Sequence, residues 1–598
     1  MDVRSPLFQN IALILAGVMF LNPIAATAAQ LTVDAQAGGN TSLGQAANGV
    51  PIVNIATPNG SGLSHNKFTD YNVGQQGLIL NNATERLQST QQGGIIIGNP
   101  NLGGSNLQGR AAGVILNEVT GSNRSQLKGY TEVAGQAANV IVANPHGITC
   151  DGCGFINTPR ATLSTGAPVI ENGQLRSFDV NGGDIAIEGA GLNASNVDQF
   201  DLITRSAKLN AEIHTKRLNV ITGRNDVDAA TLQAIAKADD GSEKPQLAID
   251  SSALGGMYAG AIRLVGTEAG VGVKLAGDMA ASAGDIQIDA SGRLSLNRVV
   301  ASDDIELAAS AIELGGDAYA GRIVAARATQ TLSLDEERSL AAGERITLNA
   351  RQISNQGVIE AGVNRDNTRN ASGNVTLKAD GVRNRGSLLA SGDLDLALSG
   401  TLDNRAGALG AKASTRVTAK TLDNRGGLVV ADESLDVSAA KRLDNRDGEI
   451  SSQGVASVNA GQLDNRSGRL SAGSVLTVTA HELDNSAKGT LSSRGSLTVR
   501  EAALDNQGGT LVADRRLDIS GQSLDNRGGV VSGKADASIA VDGVLDNAGA
   551  SRVVSEGRLS IAAGELRNHA GGQIGAKGDV EVRAGVLGQQ AGELLSQG

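Results

Sequence analysis

The chain lacks tryptophan altogether, and aromatic residues make up only 2% of it. Aromatic side chains normally supply much of the bulk in the core of a large helix-packed enzyme. A chain of 598 residues is also too long for one ordinary globular core, so it must form several domains or a repeat. The shortage of aromatic bulk favours a repeat architecture built from small aliphatic side chains.

Proline and cysteine are also scarce, with nine and two residues, whereas glycine is abundant with 79. Glycine adopts positive φ without steric cost, which suits tight turns between many short strands. The 62 acidic residues outnumber the 51 basic ones, giving a formal net charge of −11. Nucleic-acid binding needs clustered positive charge, so we expect no nucleic-acid partner.

Catalytic signatures are missing from the sequence. It contains neither Gly-x-Ser-x-Gly nor His-Glu-x-x-His, and Ala535 replaces the Ser/Thr of the phosphate-loop-like segment at 528–534. We therefore predict no enzyme, no cofactor, no metal and no catalytic residues. A carbohydrate-active β-helix enzyme stays open, because facing coils can bring any two carboxylates together. The five histidines form no metal-spaced pair: His65, His146, His214, His481 and His569.

The first residues resemble an export signal. Arg4 precedes an apolar run at 11–20, Pro23 follows it, and Ala-Thr-Ala at 26–28 offers a cleavage pattern. The alternative is a membrane anchor, but the run is too short to span a bilayer comfortably. We predict a signal peptide over residues 1–29 and only transient membrane passage.

The second half of the chain repeats a Leu-Asp-Asn motif. Its asparagines are 20 or 21 residues apart, and weaker copies lie at Asn384 and Asn568. Asn355 lies 29 residues before Asn384, which predicts an insertion near residues 364–370. The repeated asparagines are Asn404, Asn424, Asn445, Asn465, Asn485, Asn506, Asn526 and Asn547.

Apolar and polar residues alternate within each repeat, as in Ser-Leu-Asp-Val-Ser at 434–438, which predicts strands with one buried face. Three short strands with turns fill about twenty residues, so we predict an all-β, right-handed parallel β-helix with about 20 residues per coil. In each motif Leu would point inward, Asp would face solvent, and Asn would bond to its equivalent one coil away. Calcium binding by the aspartates is the weaker alternative, since calcium repeats use a Gly-rich nonapeptide.

The N-terminal third carries further motifs in a fixed order: GLSHNKFTDYNV at 62–73, NN at 81–82, NPNL at 99–102, ILNEVTG at 115–121, EVAGQAANVIVANP at 132–145 and GFINT at 154–158. They resemble the secretion domain of the two-partner secretion exoproteins, the filamentous haemagglutinin and contact-dependent inhibition family. LGGMYAG at 254–260 resembles the stretch that follows this domain, so the resemblance covers essentially the whole chain.

The resemblance implies export through an outer-membrane β-barrel transporter with periplasmic recognition domains. The chain would pass through the periplasm and reach the outer cell surface or the medium. The best candidates for the secretion determinant are Asn99, Pro100, Asn101 and Leu102. A second motif usually reads Asn-Pro-Asn-Gly, and this chain departs from it at the third position, with Asn144, Pro145, His146 and Gly147.

The two cysteines, Cys150 and Cys153, lie within four residues of each other. A local disulfide is expected in an oxidising periplasm. A redox site would need the first cysteine at a helix N-terminus, which this strand-rich sequence does not offer. Zinc would need four ligands, and the thiols with His146 provide three. We predict the disulfide.

We predict a signal peptide at 1–29, a capped two-partner secretion domain at 30–275, connecting β-helix coils at 276–350 and haemagglutinin-type repeats at 351–598. The last residues, 594–598, lie within repeat-like sequence, which favours a fragment of a longer chain or a truncated reading frame. The expected function is adhesion to a host or neighbouring bacterial cell. Two alternatives are the stalk of a contact-dependent inhibition toxin and the carbohydrate-active enzyme.

Overall fold

The structure is a computed structural model that describes residues 31–102 and 109–598. The predicted signal peptide, residues 1–29, lies outside these ranges. Over the described residues the chain forms strands and turns and no helix, so no helix in them could cross a membrane. Two compact units, residues 1–245 and 246–598, are described separately below. The domain boundary at residue 275 stays a prediction.

The first unit is a β-helix whose coils contribute strands to two parallel sheets. Its two first-coil strands are each paired antiparallel on their outer edge, Leu63–Tyr71 with Leu31–Val33 and Pro51–Asn54 with Ser42–Gln45. These pairings cap edges that would otherwise invite aggregation. The first sheet contains Leu31–Val33, Leu63–Tyr71, Val114–Val119, Ser125–Leu127, Asn139–Ala143, Ile148–Cys150, Arg160–Ser164, Asp184–Ile187, Gln199–Thr204, Ser206–Leu209 and Arg217–Thr222. The second contains Ser42–Gln45, Pro51–Asn54, Leu78–Asn82, Tyr130–Gly135, Cys153–Ile156, Leu192–Ala194 and Ile213–Thr215.

Two antiparallel additions lie outside these coils. One is the hairpin Leu87–Thr90 with Gly94–Ile97. The other is a four-stranded sheet of Ala167–Glu171, Gln174–Val180, Asn225–Asp228 and Ala234–Ala236. The few aromatic residues of the chain concentrate in the core of this unit, where the largest fully buried side chains include Phe68, Tyr71, Phe155, Phe178 and Phe200. The bulky aromatic side chains that the repeats lack are therefore found in the core of the first unit.

The second unit stacks its repeats in register, so that identical residues of the motif lie beside each other. Leu402 pairs with Leu422, and Leu422 with Leu443, in parallel ladders that are 20 and 21 residues apart along the chain. All three leucines are at most 1% exposed. The parallel β-helix and its repeat length are thereby confirmed.

Each regular coil has two strands and not the three short ones we predict. The first is about ten residues long, as in Leu394–Asp403, and the second has four, as in Ala408–Ala411. The long strand bends midway, where the ladder register shifts between Ala397 and Thr401. Hydrogen bonding to the next coil continues on both sides of the bend, so two predicted strands merge into one.

The strands of the first sheet of this unit are Leu247–Ser251, Ala261–Gly266, Gly272–Leu275, Ile286–Ala290, Arg293–Leu296, Ile305–Leu314, Ile323–Leu334, Arg345–Asn355, Asn374–Asn384, Leu394–Asp403, Ser414–Asp423, Ser434–Asp444, Val455–Asp464, Val475–Asp484, Ser496–Asp505, Leu517–Gly521, Ser523–Asp525, Ala537–Asp546, Leu559–Arg567 and Val580–Gly588. Those of the second are Met257–Ala259, Met279–Ala281, Val299–Ala301, Ala318–Ala320, Ser339–Ala342, Val358–Ala361, Ser387–Ala390, Ala408–Ala411, Leu428–Ala431, Glu449–Ser452, Arg469–Ala472, Thr490–Ser493, Thr510–Ala513, Val530–Gly533, Arg552–Ser555, Gln573–Ala576 and Glu593–Ser596.

Candidate functional site

The first Asn-Pro motif, residues 99–102, folds as a tight turn just after the strand Gly94–Ile97. The Asn99 carboxamide oxygen accepts the backbone N–H of Asn101 at 2.9 Å, and the Asn99 carbonyl accepts the N–H of Leu102 at 3.1 Å. Proline at the second position presets the φ that this turn requires. Asn99 and Leu102 are buried, whereas Pro100 is exposed.

The two asparagine side chains of this turn join it to neighbouring segments. The Asn99 amide donates to the carbonyls of Ile55 at 2.9 Å and Asn81 at 2.8 Å. The Asn101 amide donates to the carbonyls of Asn40 at 2.7 Å and Ile55 at 3.1 Å. A buried carbonyl that loses its donor costs about 1–3 kcal/mol. Both side chains therefore hold the first coil together.

The second motif, residues 144–147, forms the same turn at another corner of the unit. The fully buried Asn144 accepts the N–H of His146 at 2.9 Å through its side chain and the N–H of Gly147 at 3.1 Å through its carbonyl. Its amide donates to the Asn123 carbonyl and the Ser125 hydroxyl, both at 2.9 Å. Within the described residues, the side chains of Asn144 and Asn99 have no hydrogen-bond partner in common.

The departure at His146 does not disturb this turn. His146 is exposed and contributes its backbone N–H, whereas Asn101 at the equivalent place uses its side chain to reach three carbonyls. The last position does require glycine, because Gly147 has φ 105° and a Cβ there would lie 2.9 Å from the Asp184 carbonyl oxygen. The two motifs thus share the two hydrogen bonds of the turn, but they differ in the backbone of the fourth residue and in the use of the third side chain.

Cys150 and Cys153 form a disulfide with an S–S distance of 2.00 Å. Cys150 ends the strand Ile148–Cys150 and Cys153 begins the strand Cys153–Ile156, so the bond closes a corner between the two sheets. Both cysteines are buried. In the part of the chain that the structure describes, no group of three or more His, Cys, Asp or Glu side chains could hold a metal ion.

Buried asparagines elsewhere in the first unit have a bonding role that the sequence analysis did not assign. The Asn82 amide donates to the carbonyls of Ala112 at 3.0 Å and Gln136 at 2.8 Å, and its oxygen accepts the Ala112 N–H at 2.7 Å. The Asn66 oxygen accepts the N–H of Ala56 at 2.8 Å. Asn82 ends an apolar strand, Leu78–Asn82, which is a sequence signal for a buried amide, whereas the strand that contains Asn66, Leu63–Tyr71, is mostly polar and gives no such signal.

The repeat asparagines form one continuous ladder. Each side-chain amide donates to the carboxamide oxygen of the asparagine one coil further on, at 2.7–2.9 Å. All of them are fully buried. The ladder runs through Asn355, Asn384, Asn404, Asn424, Asn445, Asn465, Asn485, Asn506, Asn526, Asn547 and Asn568.

Arginine holds most of the aspartates that precede ladder asparagines, so these do not simply face solvent, whereas Asp505 is bonded by Gln507. Arg405 contacts Asp403 of its own coil at 2.9 Å and Asp423 of the next coil at 3.5 Å. The Arg405 guanidinium, with Arg385 on the other side, holds the pKa of Asp403 well below its usual range. This alternation of charges neutralises the aspartates that the calcium alternative would need. We call it the Asp-Arg ladder, and it extends through Arg425, Asp444, Arg446, Asp464, Arg466 and Asp484.

Comparisons with known proteins match both units. Residues 29–296 match the family model "TPS secretion domain". Six overlapping or consecutive segments between residues 300 and 598 match the family model "Haemagglutinin repeat". Together the two models cover nearly the whole chain.

The similar curated proteins are much longer than this chain. A 16S rRNA endonuclease CdiA from Enterobacter cloacae is 52% identical over 299 residues, which are 50% of this chain and 9% of that protein. A tRNA nuclease CdiA from Yersinia mollaretii is 45% identical over 369 residues, 61% of this chain and 12% of that protein. The chain thus spans about a tenth of the length of these relatives. A crystal structure of a filamentous haemagglutinin secretion domain is 28% identical, with a TM-score of 0.37, and covers 67% of this chain and 99% of its own.

Proposed function

Because the chain belongs to the two-partner secretion exoproteins of the filamentous haemagglutinin and contact-dependent inhibition family, we propose that its first unit is the export signal read by an outer-membrane transporter. The family is secreted or exposed at the cell surface, and this chain is a two-partner-secreted β-helical exoprotein. The transporter would be a β-barrel whose periplasmic domains contact the turn at 99–102. The match of residues 29–296 to the secretion-domain model carries the proposal.

The geometry of the first turn supports recognition at this place. Pro100 projects to solvent from a frame that Asn99 and Asn101 fix by hydrogen bonds. A rigid exposed turn loses little conformational entropy when a partner binds it. His146 in the second turn makes no comparable side-chain bridge, so we assign residues 144–147 the supporting role.

We propose that the chain folds outside the cell, and the repeat architecture supports this. In a repeat solenoid each coil is stabilised by its neighbours, so folding can start at one place and propagate. The first unit offers a nucleus, since it has capped edges and the aromatic core. From Asn355 to Asn568 each coil then adds one bond to the asparagine ladder. This directional gain would favour outward movement of an unfolded chain through the transporter.

A secretion assay tests the role of the first turn. The full chain is expressed with its transporter, and exoprotein is measured in the medium and in the periplasm. We expect Asn101→Ala and Asn99→Ala to remain in the periplasm and His146→Ala to be exported normally. A strain without the transporter sets the zero level. Normal appearance of both asparagine variants in the medium would refute the assignment.

A second measurement separates recognition from folding. Asn101→Ala removes bonds to the carbonyls of Asn40 and Ile55, so it also weakens the first coil. Pro100→Ala removes an exposed ring and leaves those bonds in place. If recognition involves the turn surface, Pro100→Ala slows export while the thermal unfolding of the purified protein stays unchanged. Export at the normal rate would place recognition elsewhere in the unit.

For the exported protein we propose contact with a host or neighbouring bacterial cell as its main function. The repeats expose the outward faces of two sheets in the second unit, and repeat proteins use such continuous faces to bind partners. Beads coated with the purified chain should adhere to target cells more than beads coated with an unrelated β-helix. Equal adhesion would refute this function. The chain would pass through the periplasm on its way to the cell surface.

The stalk of a contact-dependent inhibition toxin is the second candidate. It is favoured by the 45–54% identity to proteins named as toxins and nucleases. This candidate assigns those activities to other parts of the longer relatives and a structural role to residues like the ones present here. An immunity-like reading frame beside the gene would support it, and a growth-inhibition assay against cells lacking that frame would decide it. We propose no enzymatic role for residues 1–598 themselves.

A further inference from the structure

One interruption of the regular coil is an insertion in the second unit. The strands Val358–Ala361 and Asn374–Asn384 are separated by residues 362–373, a connection of twelve residues. Two coils later, the equivalent connection between Ala408–Ala411 and Ser414–Asp423 takes two. The insertion falls where the 29-residue spacing predicts it. The insertion belongs neither to the proposed export signal nor to the asparagine and Asp-Arg ladders.

The insertion is held firmly by its own hydrogen bonds. Arg369 donates to both carboxylate oxygens of Glu360, at 2.8 and 2.7 Å. Asn367, with φ 64°, completes a turn in which its N–H donates to the Asn364 carbonyl at 2.9 Å. The Asn370 amide donates to the carbonyl of Gly343 in the preceding coil at 2.7 Å. The loop is therefore built as a fixed projection.

A cleft of about 380 Å³ lies between this loop and the outward face of the second sheet. Its floor follows one outward column of that sheet, in which Val300, Tyr319 and Ala341 are ladder neighbours. Tyr319 is one of only four tyrosines in the chain, and its hydroxyl donates to the Val363 carbonyl at 3.3 Å. The small residues on both sides leave the tyrosine standing above the floor. A volume of this size is in the range of ligand pockets.

Polar groups line the cleft without leaving a strong net charge. The Asp317 carboxylate accepts the N–H and the hydroxyl of Ser339, both at 2.9 Å. Arg298 is 3.7 Å from Asp278. Partial burial raises the pKa of Tyr319, and Arg365 and Asp366 act on it in opposite directions. The charged residues of the lining are Arg298, Asp317 and Arg365, and Arg298 is countered by Asp278 beside the cleft, so little net positive charge is left for phosphate, sulfate or nucleic acid.

We propose that this cleft binds a neutral saccharide. A tyrosine ring has an apolar face for the C–H groups of a sugar and a polar end that is already oriented. Carboxylate, carboxamide and guanidinium groups from Asp317, Asn364 and Arg365 can bond the hydroxyls in fixed directions. The inference deepens the proposed surface contact by naming its ligand class. Binding by the purified chain does not depend on export, so the two proposals can fail separately.

The test uses the purified full chain on an array of neutral oligosaccharides of glucose, galactose, mannose and N-acetylglucosamine, with sialylated and sulfated glycans beside them. We expect retention of neutral glycans. Tyr319→Ala should weaken the best of them by about tenfold or more, which corresponds to about 1.4 kcal/mol. Tyr319→Phe, which keeps the ring, should stay within about threefold of the wild type.

Two further variants keep the test independent of local damage. Deletion of residues 364–372 restores the ordinary coil length and removes the roof, so it should abolish binding while the ladder bond from Asn355 to Asn384 remains. Val430→Ala changes the same outward column five coils beyond Tyr319 and should bind normally. The proposal is overturned if the wild type binds no neutral glycan, if it prefers the anionic ones, or if Tyr319→Ala and the deletion bind as the wild type does.

Discussion

Glu501 occupies a position in the core where the three preceding coils place alanine, and it tests how the solenoid tolerates charge. Its ladder neighbour in the preceding coil is Ala480, which in turn follows Ala460. The residue is 8% exposed, and both carboxylate oxygens lack a hydrogen-bond partner among the described residues. Burial raises the pKa of Glu501 from 4.5 to about 8.

The sign of the pH effect follows from this raised pKa. In the unfolded chain Glu501 loses its proton near pH 4.5, whereas the folded chain keeps it until about pH 8. Folding therefore retains a proton in that window, and stability falls as the pH rises through it. At 1.36 kcal/mol per pKa unit the cost at pH 7 is about 3 kcal/mol, and at pH 5 it is below about 1 kcal/mol. Above pH 8 the cost no longer grows.

Replacing Glu501 by alanine should remove this cost, since alanine fills the same column in the preceding coils. The Glu501 carboxylate lies in the space left by the missing Cβ of Gly521 in the following coil, so the change also removes packing there at either pH. Hydrogen exchange reports the local opening of a repeat. We expect Glu501→Ala to slow exchange in the strand Ser496–Asp505 by about two orders of magnitude at pH 7 and by less than about tenfold at pH 5, after correction for the intrinsic rate. The strand Leu394–Asp403 of the same molecule is the internal control.

Glu501→Gln separates charge from shape. It keeps the size and the unpaired polar atoms but cannot ionise, so it should lose the pH dependence and gain less stability than alanine. The reasoning is refuted if the ratio of exchange rates between Glu501→Ala and the wild type is the same at pH 5 and pH 7.

Three further predictions concern the ladders and their turn. Asn465→Ala should cost about 2–3 kcal/mol, because it leaves buried amide groups in both neighbouring coils unpaired, whereas the exposed Gln462→Ala should change the midpoint of thermal unfolding little. Gly426→Ala should destabilise the protein by about 1 kcal/mol, because Gly426 has φ 60° and a Cβ there would have no atom within 4 Å, so the backbone strain is the whole effect. The reverse change, Ala406→Gly at φ 56°, should stabilise the protein in the same denaturation assay. Arg446→Gln should cost less than about 1 kcal/mol at pH 7 and low salt. Because Arg446 helps to hold the pKa of Asp444 below its ordinary value, the difference should be lost as the pH falls through that lowered pKa, and also in 1 M salt.

The asparagine ladder could be predicted from the sequence because one residue type recurs at one period. A parallel coil places equivalent positions about 4.8 Å apart, and a carboxamide can donate and accept at the same time. Spacing and chemistry together therefore determine the contact. The leucine of each motif is predictable for a similar reason, since its neighbours alternate with it along the strand.

The Asp-Arg ladder could not be predicted in the same way. Sequence alone places Asp403 and Arg405 two residues apart, which on a straight strand would put them on one face without bringing their ends together. The chain turns at Asn404, and Ala406 adopts φ 56°, so the guanidinium returns to the carboxylate. That return depends on a left-handed turn whose residue is alanine, aspartate or serine in several coils. Glycine, the usual sequence signal of a left-handed turn, is missing from those coils.

The Asn-Pro motifs show a related limit. Their turns could be predicted from the residue pair, but their partners could not, because Asn40, Ile55 and Asn81 are distant in sequence and meet only in the folded first coil. Two motifs with the same Asn-Pro pair therefore make different hydrogen bonds to the rest of the unit. Asn101 bridges segments, and His146 does not. Only the three-dimensional arrangement distinguishes a turn that joins a coil from one that ends a strand.

The position of the insertion follows from the ladder. A long insertion beside a ladder asparagine risks separating two carboxamides, which would leave a donor and an acceptor buried without partners at about 1–3 kcal/mol each. One extra residue is accommodated there: the Asn485 amide donates to the Gly489 carbonyl where the Asn465 amide donates to that of Gly468, and the ladder bonds on either side of Asn485 keep lengths of 2.7 and 2.8 Å. The insertion instead follows Val358–Ala361, at a corner where the connecting residues reach solvent. The bond from Asn355 to Asn384 keeps its length of 2.8 Å despite the 29 residues between them. From Asn355 to Asn568 the ladder thus fixes one corner of each coil, and the longest insertion of these coils lies at another corner, where a binding cleft can arise without breaking the ladder.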